Sequence, residues 1–289
     1  MIMQLDALRN RATRPLAELQ VAGAHQRQAV VGPWRLTCCL GRGRWSSVYA
    51  ASPADYDREW PAQFALKILD RSRCTSSRAT SSLQREAAVM QAARHPRIAA
   101  LLDAQLSHDT PYVVTPRIAG VTLSKLLSAD VPSDVDFALP LHRSLWVVRQ
   151  TAEAIRHLHE VRWLHGDVNP SNVMVSPRGE VTLIDYSCAR RLDGEESIHD
   201  GWTQSHAEYH APELRRPGIR IKAAADVYSL GVMMAHLVSR QPSATVDRNH
   251  QLPTEWLRLL TAMLAEDPRH RPTSEEVVDE LLALEISLL

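Results

Sequence analysis

The stretch LHGDVNPSNVMV, Leu164 to Val175, sets a histidine, a carboxylate and a carboxamide at His165, Asp167 and Asn172. That is the order of a phosphoryl-transfer loop, H-R-D-x-x-x-x-N, with Gly166 where arginine would stand. Upstream, LGRGRWSSVYAA carries Gly41 and Gly43, whose missing side chains let a strand-turn-strand backbone come close to phosphates. Taken alone, a G-x-G with Ser46 in place of the third glycine reads equally as a plain hairpin. FALK then puts Lys67 at the end of a β-like run with alternating apolar neighbours, where an ammonium needs a partner charge. Glu86, on the next helical stretch, can supply it.

The elements that must position these residues change character midway along the chain. From Trp34 to Thr115 the runs WRLTCCL, SVYAAS, QFALKIL and PYVVT are short, β-like and bounded by Gly, Pro or polar clusters. One predicted helix, Ser81 to His95, interrupts them. It opens on capping-type serines and places Leu83, Ala87 and Met90 at helical spacing. Beyond Gly120 the pattern is mainly helical, and Leu145, Val148, Ala152, Ile155 and Leu158 trace one face. The expected fold class is therefore α+β, with a small β-rich N-lobe at 31–115, a hinge at 116–120 and a larger helical C-lobe at 121–289. Residues 1–30 read as an N-terminal extension, broken near Pro15.

Composition bounds the rest. A chain of 289 residues, 45% hydrophobic, can bury a large core. Lys+Arg and Asp+Glu are both 33, so no global field draws the chain to nucleic acid or to an anionic membrane. The longest apolar runs, such as Ala29 to Trp34 and Leu230 to Ala235, are far below the ~20 residues of a membrane-spanning helix. Asp6, Arg9, Arg11, Arg14 and Glu18 interrupt the first turns, unlike the apolar core of a signal peptide, and a cytoplasmic address is expected. Cys38, Cys39, Cys74 and Cys188 have no C-x-x-C spacing, so reduced, mostly buried thiols are expected rather than zinc or disulfides.

Joined in order with LIDYSCAR, PYVVTPRIAGVTL, HAPEL, AADVYSLGVMM and DPRHRPT, these pieces resemble the eukaryotic-like protein kinase family, in particular its bacterial Ser/Thr branch. The resemblance runs from about Val31 to Leu289 and implies a bilobal protein-kinase-like fold that uses ATP and Mg²⁺. It implies that Lys67, held by Glu86, grips the α- and β-phosphates under a loop from Gly41 through Ser46 to Val48. It further implies that Asp185 and Asn172 hold the metal, and that Asp167 orients the acceptor hydroxyl and accepts its proton. Val48, Ala65 and Met174 would sandwich adenine. Thr115 would be the gatekeeper, with the Pro116 carbonyl and the Ile118 N–H as the adenine's partners; proline lacks only the donor that this position does not need. His165, Met90, Leu101 and Tyr186 match the family's stacked spine. Glu213 and Arg271 match its buried ion pair, and Asp226 the carboxylate that holds the catalytic-loop backbone.

The departures carry their own expectations. Gly166 removes the arginine that receives an activation-loop phosphate in many relatives, which argues against control by that route. Asn169 stands where the family has a lysine, which predicts slow turnover because positive charge is lost where the transition state is negative. Tyr186 adds a hydroxyl that needs a partner, and Ser187 gives up the backbone freedom of a glycine. His206 takes the place of a threonine that contacts the catalytic aspartate. Ser197, Thr203 and Ser205 are candidate autophosphorylation sites, and Arg215, Arg216, Arg220 and Lys222 read as a solvated basic face. The favoured function is phosphoryl transfer from Mg-ATP to Ser/Thr hydroxyls of a protein substrate. The alternatives are a pseudokinase that binds nucleotide or a signalling partner, and a small-molecule kinase, since H-G-D-x-x-x-x-N also resembles the aminoglycoside phosphotransferase loop.

Overall fold

The computed structural model describes residues 29–55, 61–70, 77–107, 110–128, 140–194, 206–215, 220–239 and 252–288. Nearly all of the N-terminal extension, together with Cys74, Ser197, Thr203, Ser205 and Arg216, lies outside the described residues. The chain divides into two compact units, one drawn from positions up to 87 with 100–118, the other from 88–99 with 119–289.

The described residues of the first unit carry a six-stranded antiparallel sheet. Its strands are β1 (Val30–Val31), β2 (Trp34–Arg42), β3 (Ser46–Pro53), β4 (Phe64–Leu69), β5 (Asp103–Gln105) and β6 (Tyr112–Pro116), in the order β1-β2-β3-β4-β6-β5. Strand β4 shows why the sheet has one buried face. Leu66 and Ile68 point into a core with Val31, Trp34, Leu36, Ala51, Tyr112 and Val114, while Ala65 and Lys67, one residue out of phase, take the opposite face. Asp103 is buried in this unit, and its Oδ2 accepts from Trp34 Nε1 at 2.9 Å and from the Tyr112 hydroxyl at 3.2 Å. The buried carboxylate is thus satisfied by hydrogen bonds.

Helix α1 (Ser77–Ala92) begins and ends earlier than the sequence expectation of 81–95. Ser81 and Ser82 lie inside it rather than at its start, with Ser82 buried. The end is set by Pro96, which disfavours helical backbone at His95; the His95 ring instead accepts the Arg97 N–H.

The second unit is mainly helical: α2 (Leu123–Leu127), α3 (Leu141–Glu160), α4 (Ala224–Ser239), α5 (Thr254–Met263) and α6 (Ser274–Ser287). The five α3 positions expected on one face are all buried at 1% exposure or less, which makes this helix the unit's spine. Arg149 of α3 is tied to Glu285 of α6 at 2.8 Å. Helix α4 is apolar around nearly its whole circumference and is buried accordingly. A capping box, Thr273 with Glu276, starts α6. Among the described residues this unit also has two small sheets: β7 (Val121–Thr122) with β9 (Val173–Val175) and β10 (Val181–Leu183), and β8 (Trp163–Leu164) with β11 (Arg190–Arg191).

The α+β class read from the sequence stands. The expectation of mostly buried thiols needs correction. Cys188 is buried, but Cys38 and Cys39 are exposed, because β2 leaves the core beyond Leu36 and its pairing with β3 is irregular there. Among the described residues no helix is long and apolar enough to cross a membrane.

Candidate active site

In the first unit, strand pairing brings most of the sequence-derived candidates onto neighbouring strands. Gly41 pairs with Val48, Val48 with Lys67, and Ala65 with Thr115, while Pro116 faces Phe64. The β2–β3 connection is closed by the Gly43 N–H on the Ser46 carbonyl at 2.8 Å. A Cβ built on Gly41 meets nothing within 4 Å, so no protein contact requires the glycine there and the loop keeps open room beside it. Lys67 leaves the sheet on the face opposite the core, and its Nζ reaches Glu86 Oε2 of α1 at 2.7 Å. The two side chains are only 13% and 7% exposed, so this pair is shielded from solvent and salt far more than a surface bridge. Ile118 closes the list of first-unit candidates at the end of that unit.

In the second unit, the loop after β8 folds around Asp167. Asn172 Nδ2 donates to the Asp167 carbonyl at 2.8 Å and to Oδ2 at 3.0 Å. Asn169 Nδ2 donates to the same carbonyl and to Oδ1, both at 3.0 Å. The Asp167 N–H donates to His165 Nδ1 at 3.2 Å, and His165 Nε2 donates to the Ile184 carbonyl at 3.1 Å. The loop is anchored from below by Asp226 at the start of α4. Its carboxylate accepts the N–H groups of His165 and Gly166, both at 2.8 Å, and His159 Nε2 at 3.0 Å. Burial alone pushes the Asp226 carboxyl up, but His159, His165 and the Gly166 N–H together hold it below the usual carboxylate range.

Asp185 follows β10, whose register places Leu183 opposite Val173 and Thr182 opposite Met174. The Ile184 N–H donates to the Asn172 carbonyl at 2.9 Å, which holds the stretch before Asp185 against the Asn172 turn. Asp185 itself is left-handed, at φ 62°. Asn172 commits its amide protons to Asp167, which leaves Oδ1 as its remaining side-chain acceptor. A carboxylate and an amide oxygen are hard donors of the kind Mg²⁺ takes, and that ion needs few protein ligands when phosphates and waters supply the rest. No group of three or more His, Cys, Asp or Glu poised for a metal occurs among the described residues. Negative charge does gather here: the Cys188 thiol is pushed up to about 11, by burial first and then by Asp167 and Asp185.

The departures from the expected pattern acquire physical reasons. Gly166 has φ +79°, and a Cβ there would lie 2.7 Å from the Cys188 carbonyl oxygen, so this backbone excludes larger residues on two counts. The hydroxyl of Tyr186 is satisfied: it donates to the Leu183 carbonyl at 2.6 Å and accepts the Ala99 N–H at 3.3 Å. The Tyr186 ring meets His165 edge-on at 5.3 Å, joining two of the proposed spine residues. Ser187 is not left-handed; the unusual backbone falls on Asp185 instead, so no glycine freedom is lost at 187. Glu213 and Arg271 form a two-pronged ion pair at 2.7 and 2.8 Å, with Arg271 also bonded to the carbonyls of Ala265, Ala224 and Glu266. Of the basic run, Arg220 is exposed and donates to the Leu192 carbonyl at 2.7 Å.

Three residues near Asp167 differ from what the sequence alone conveyed. His206, which takes the place of the family's aspartate-contacting threonine, is left-handed at φ 60° and meets Ser171 Oγ at 3.3 Å. Besides His165 on the main chain, an imidazole stands beside the Asp167 carboxylate: that of His210, with Nε2 3.7 Å from Oδ1. Its only signal in the sequence was its position just before Ala211-Pro212-Glu213. Asn169 was read as a lost charge, whereas the fold makes it a hydrogen-bonding partner of Asp167.

Comparison with known proteins places these features in context. The family described as the protein kinase domain matches residues 34–282. The chain is 25% identical over 267 residues to the serine/threonine-protein kinase PrkC of Bacillus subtilis, covering 86% of this chain and 39% of the relative. It is 28% identical over 282 residues to the serine/threonine-protein kinase PksC of Streptomyces coelicolor, covering 89% and 50%. It is 27% identical over 208 residues to the serine/threonine-protein kinase PknB of Mycobacterium leprae, covering 70% and 32%. The chain thus spans half or less of the length of these relatives.

Proposed function

The chain belongs to the protein kinase family, and on that premise we propose that it transfers the γ-phosphoryl group of magnesium-bound ATP to serine or threonine hydroxyls of a protein. The observation that carries this reading is the Lys67–Glu86 pair, closed at 2.7 Å in a mostly buried setting. In protein kinases this pair must be in place for the ammonium to serve the nucleotide phosphates. On this reading residues 31–115 are the small lobe, 116–120 the hinge, 121–289 the large lobe and 1–30 an N-terminal extension.

Within the first unit, Lys67 holds the α- and β-phosphates, and the backbone from Gly41 through Ser46 to Val48 covers them. Val48 and Ala65 give adenine an apolar face, Thr115 borders it, and the Pro116 carbonyl and the Ile118 N–H are its polar partners. Within the second unit, Asp185 and Asn172 hold the metal, Met174 offers adenine an apolar contact, and Asp167 orients the acceptor hydroxyl and takes up its proton. A magnesium ion held there would supply positive charge against the phosphates. A pseudokinase that binds nucleotide without transfer is the second reading, and what favours it is a neutral carboxamide at Asn169 where relatives carry an ammonium.

The test is incubation of the purified protein with Mg²⁺ and γ-labelled ATP, alone, with generic protein acceptors and with a panel of hydroxyl metabolites. Lys67→Met, Asp167→Ala and Asp185→Ala run alongside. Label on protein that is lost in all three variants supports the proposal. Nucleotide binding without transfer selects the pseudokinase, and label on metabolites alone overturns the protein-acceptor reading.

A further inference from the structure

We propose that Asn169 is a positioning residue for Asp167, aiming its carboxylate through neutral hydrogen bonds at a place where the family uses a charge. This inference rests on the reading of Asp167 as the residue that receives the acceptor's proton. The geometry is that of a hook with two ends. The amide nitrogen of Asn169 donates to both the main-chain carbonyl and Oδ1 of Asp167, while its own Oδ1 accepts the Ser171 N–H at 2.8 Å. The residue is fully buried, so water does not compete for these bonds. On the other side Asn172 makes the matching pair of contacts, to the same carbonyl and to Oδ2.

Each carboxylate oxygen is therefore held by a different asparagine. The terminal torsion of an aspartate is soft and broadly two-fold, so an unpinned carboxylate would sample many directions. Turning this one breaks a bond to Asn169, to Asn172 or to both. Each oxygen keeps acceptor capacity for a substrate hydroxyl, because an ionised carboxylate offers about four acceptor sites in all. A lysine at 169 would bring charge on a flexible stem, but it has no acceptor atom to receive the Ser171 N–H. The carboxamide does both tasks: it caps the 3-10 turn Pro170–Asn172, which carries the second asparagine, and it fixes the carboxylate.

Capping and aiming are separable by substitution. Asn169→Ser keeps an oxygen able to cap the turn but has no amide to reach Asp167. Asn169→Asp keeps the size and the cap but sets one carboxylate against another. The expected result for Asn169→Ser is kcat lower by about tenfold or more in a protein that remains folded at the assay temperature, with the KM for ATP unchanged, and a larger loss for Asn169→Asp. Full kcat in the serine variant would overturn the proposal, as would a loss of kcat that merely tracks a loss of folded protein. Asp167→Ala, run in parallel, tests the underlying reading: transfer at the wild-type rate there refutes the role of Asp167 itself. A crystal structure of Asn169→Ser gives a readout independent of turnover. A carboxylate turned from its wild-type direction supports the aiming role, and an unmoved one overturns it even in a protein that transfers no phosphate.

Discussion

Oδ1 of Asp226 accepts the backbone N–H of Gly166 at 2.8 Å, and through that bond a buried carboxylate on a core helix holds the loop that presents Asp167. Removing the carboxylate leaves the N–H groups of His165 and Gly166 and the ring of His159 without their acceptor inside the protein. Asp226→Ala is expected to destabilise the fold by about 3 kcal/mol or more, measured by urea unfolding at neutral pH.

The same residue gives the acid limb of stability a definite sign. Its folded carboxyl lies below the usual range, so its stabilising contribution is fully present above the unfolded value, about 3.9, and is lost as pH falls through the folded one. Unfolding free energy measured across the acid range should therefore fall toward low pH, and Asp226→Asn should flatten that dependence while lowering the plateau. An unchanged slope in the variant would assign the acid limb to other carboxylates.

Arg271 is fully buried and grips Glu213 with two nitrogens. Arg271→Met alone should cost about 3–5 kcal/mol, because it leaves Glu213 without its charge partner. Pairing it with Glu213→Leu should recover part of that loss, which a double-mutant cycle in denaturant would measure.

Restoring the family's arginine at position 166 should fail. The left-handed backbone alone costs a side chain roughly 1–2 kcal/mol, and the contact with the Cys188 carbonyl adds to it. Gly166→Arg is expected to lower the thermal midpoint without creating a response to activation-loop phosphorylation. A variant as stable as wild type would show that the loop can be rebuilt around a larger residue.

Thiol chemistry should divide by environment. Cys188 is buried and its thiol is held near 11, so at pH 8 almost none of it is thiolate. Site-resolved mass spectrometry after alkylation should find Cys38 and Cys39 modified readily and Cys188 only after unfolding.

Turnover should be low. The carboxamide of Asn169 aims Asp167 but adds no positive charge against the transferring group, so we expect kcat below the ordinary kinase range of about 1 to 100 per second. Steady-state labelling with saturating Mg-ATP measures it directly.

What the amino-acid sequence determined by itself was whatever depends on near neighbours. The two-residue alternation of FALKIL put Leu66 and Ile68 in the core and Lys67 on the other face, and the spacing of Leu145, Val148, Ala152, Ile155 and Leu158 gave the buried side of α3. These periods follow from strand and helix geometry, so a short window is enough to read them. Only the tertiary structure decided that His210 stands beside Asp167, that the Tyr186 hydroxyl finds the Leu183 carbonyl, and that Gly166 must be left-handed against Cys188. Those outcomes depend on how segments far apart in the chain pack on one another, and the residue types along any one segment do not specify which atom of another will arrive.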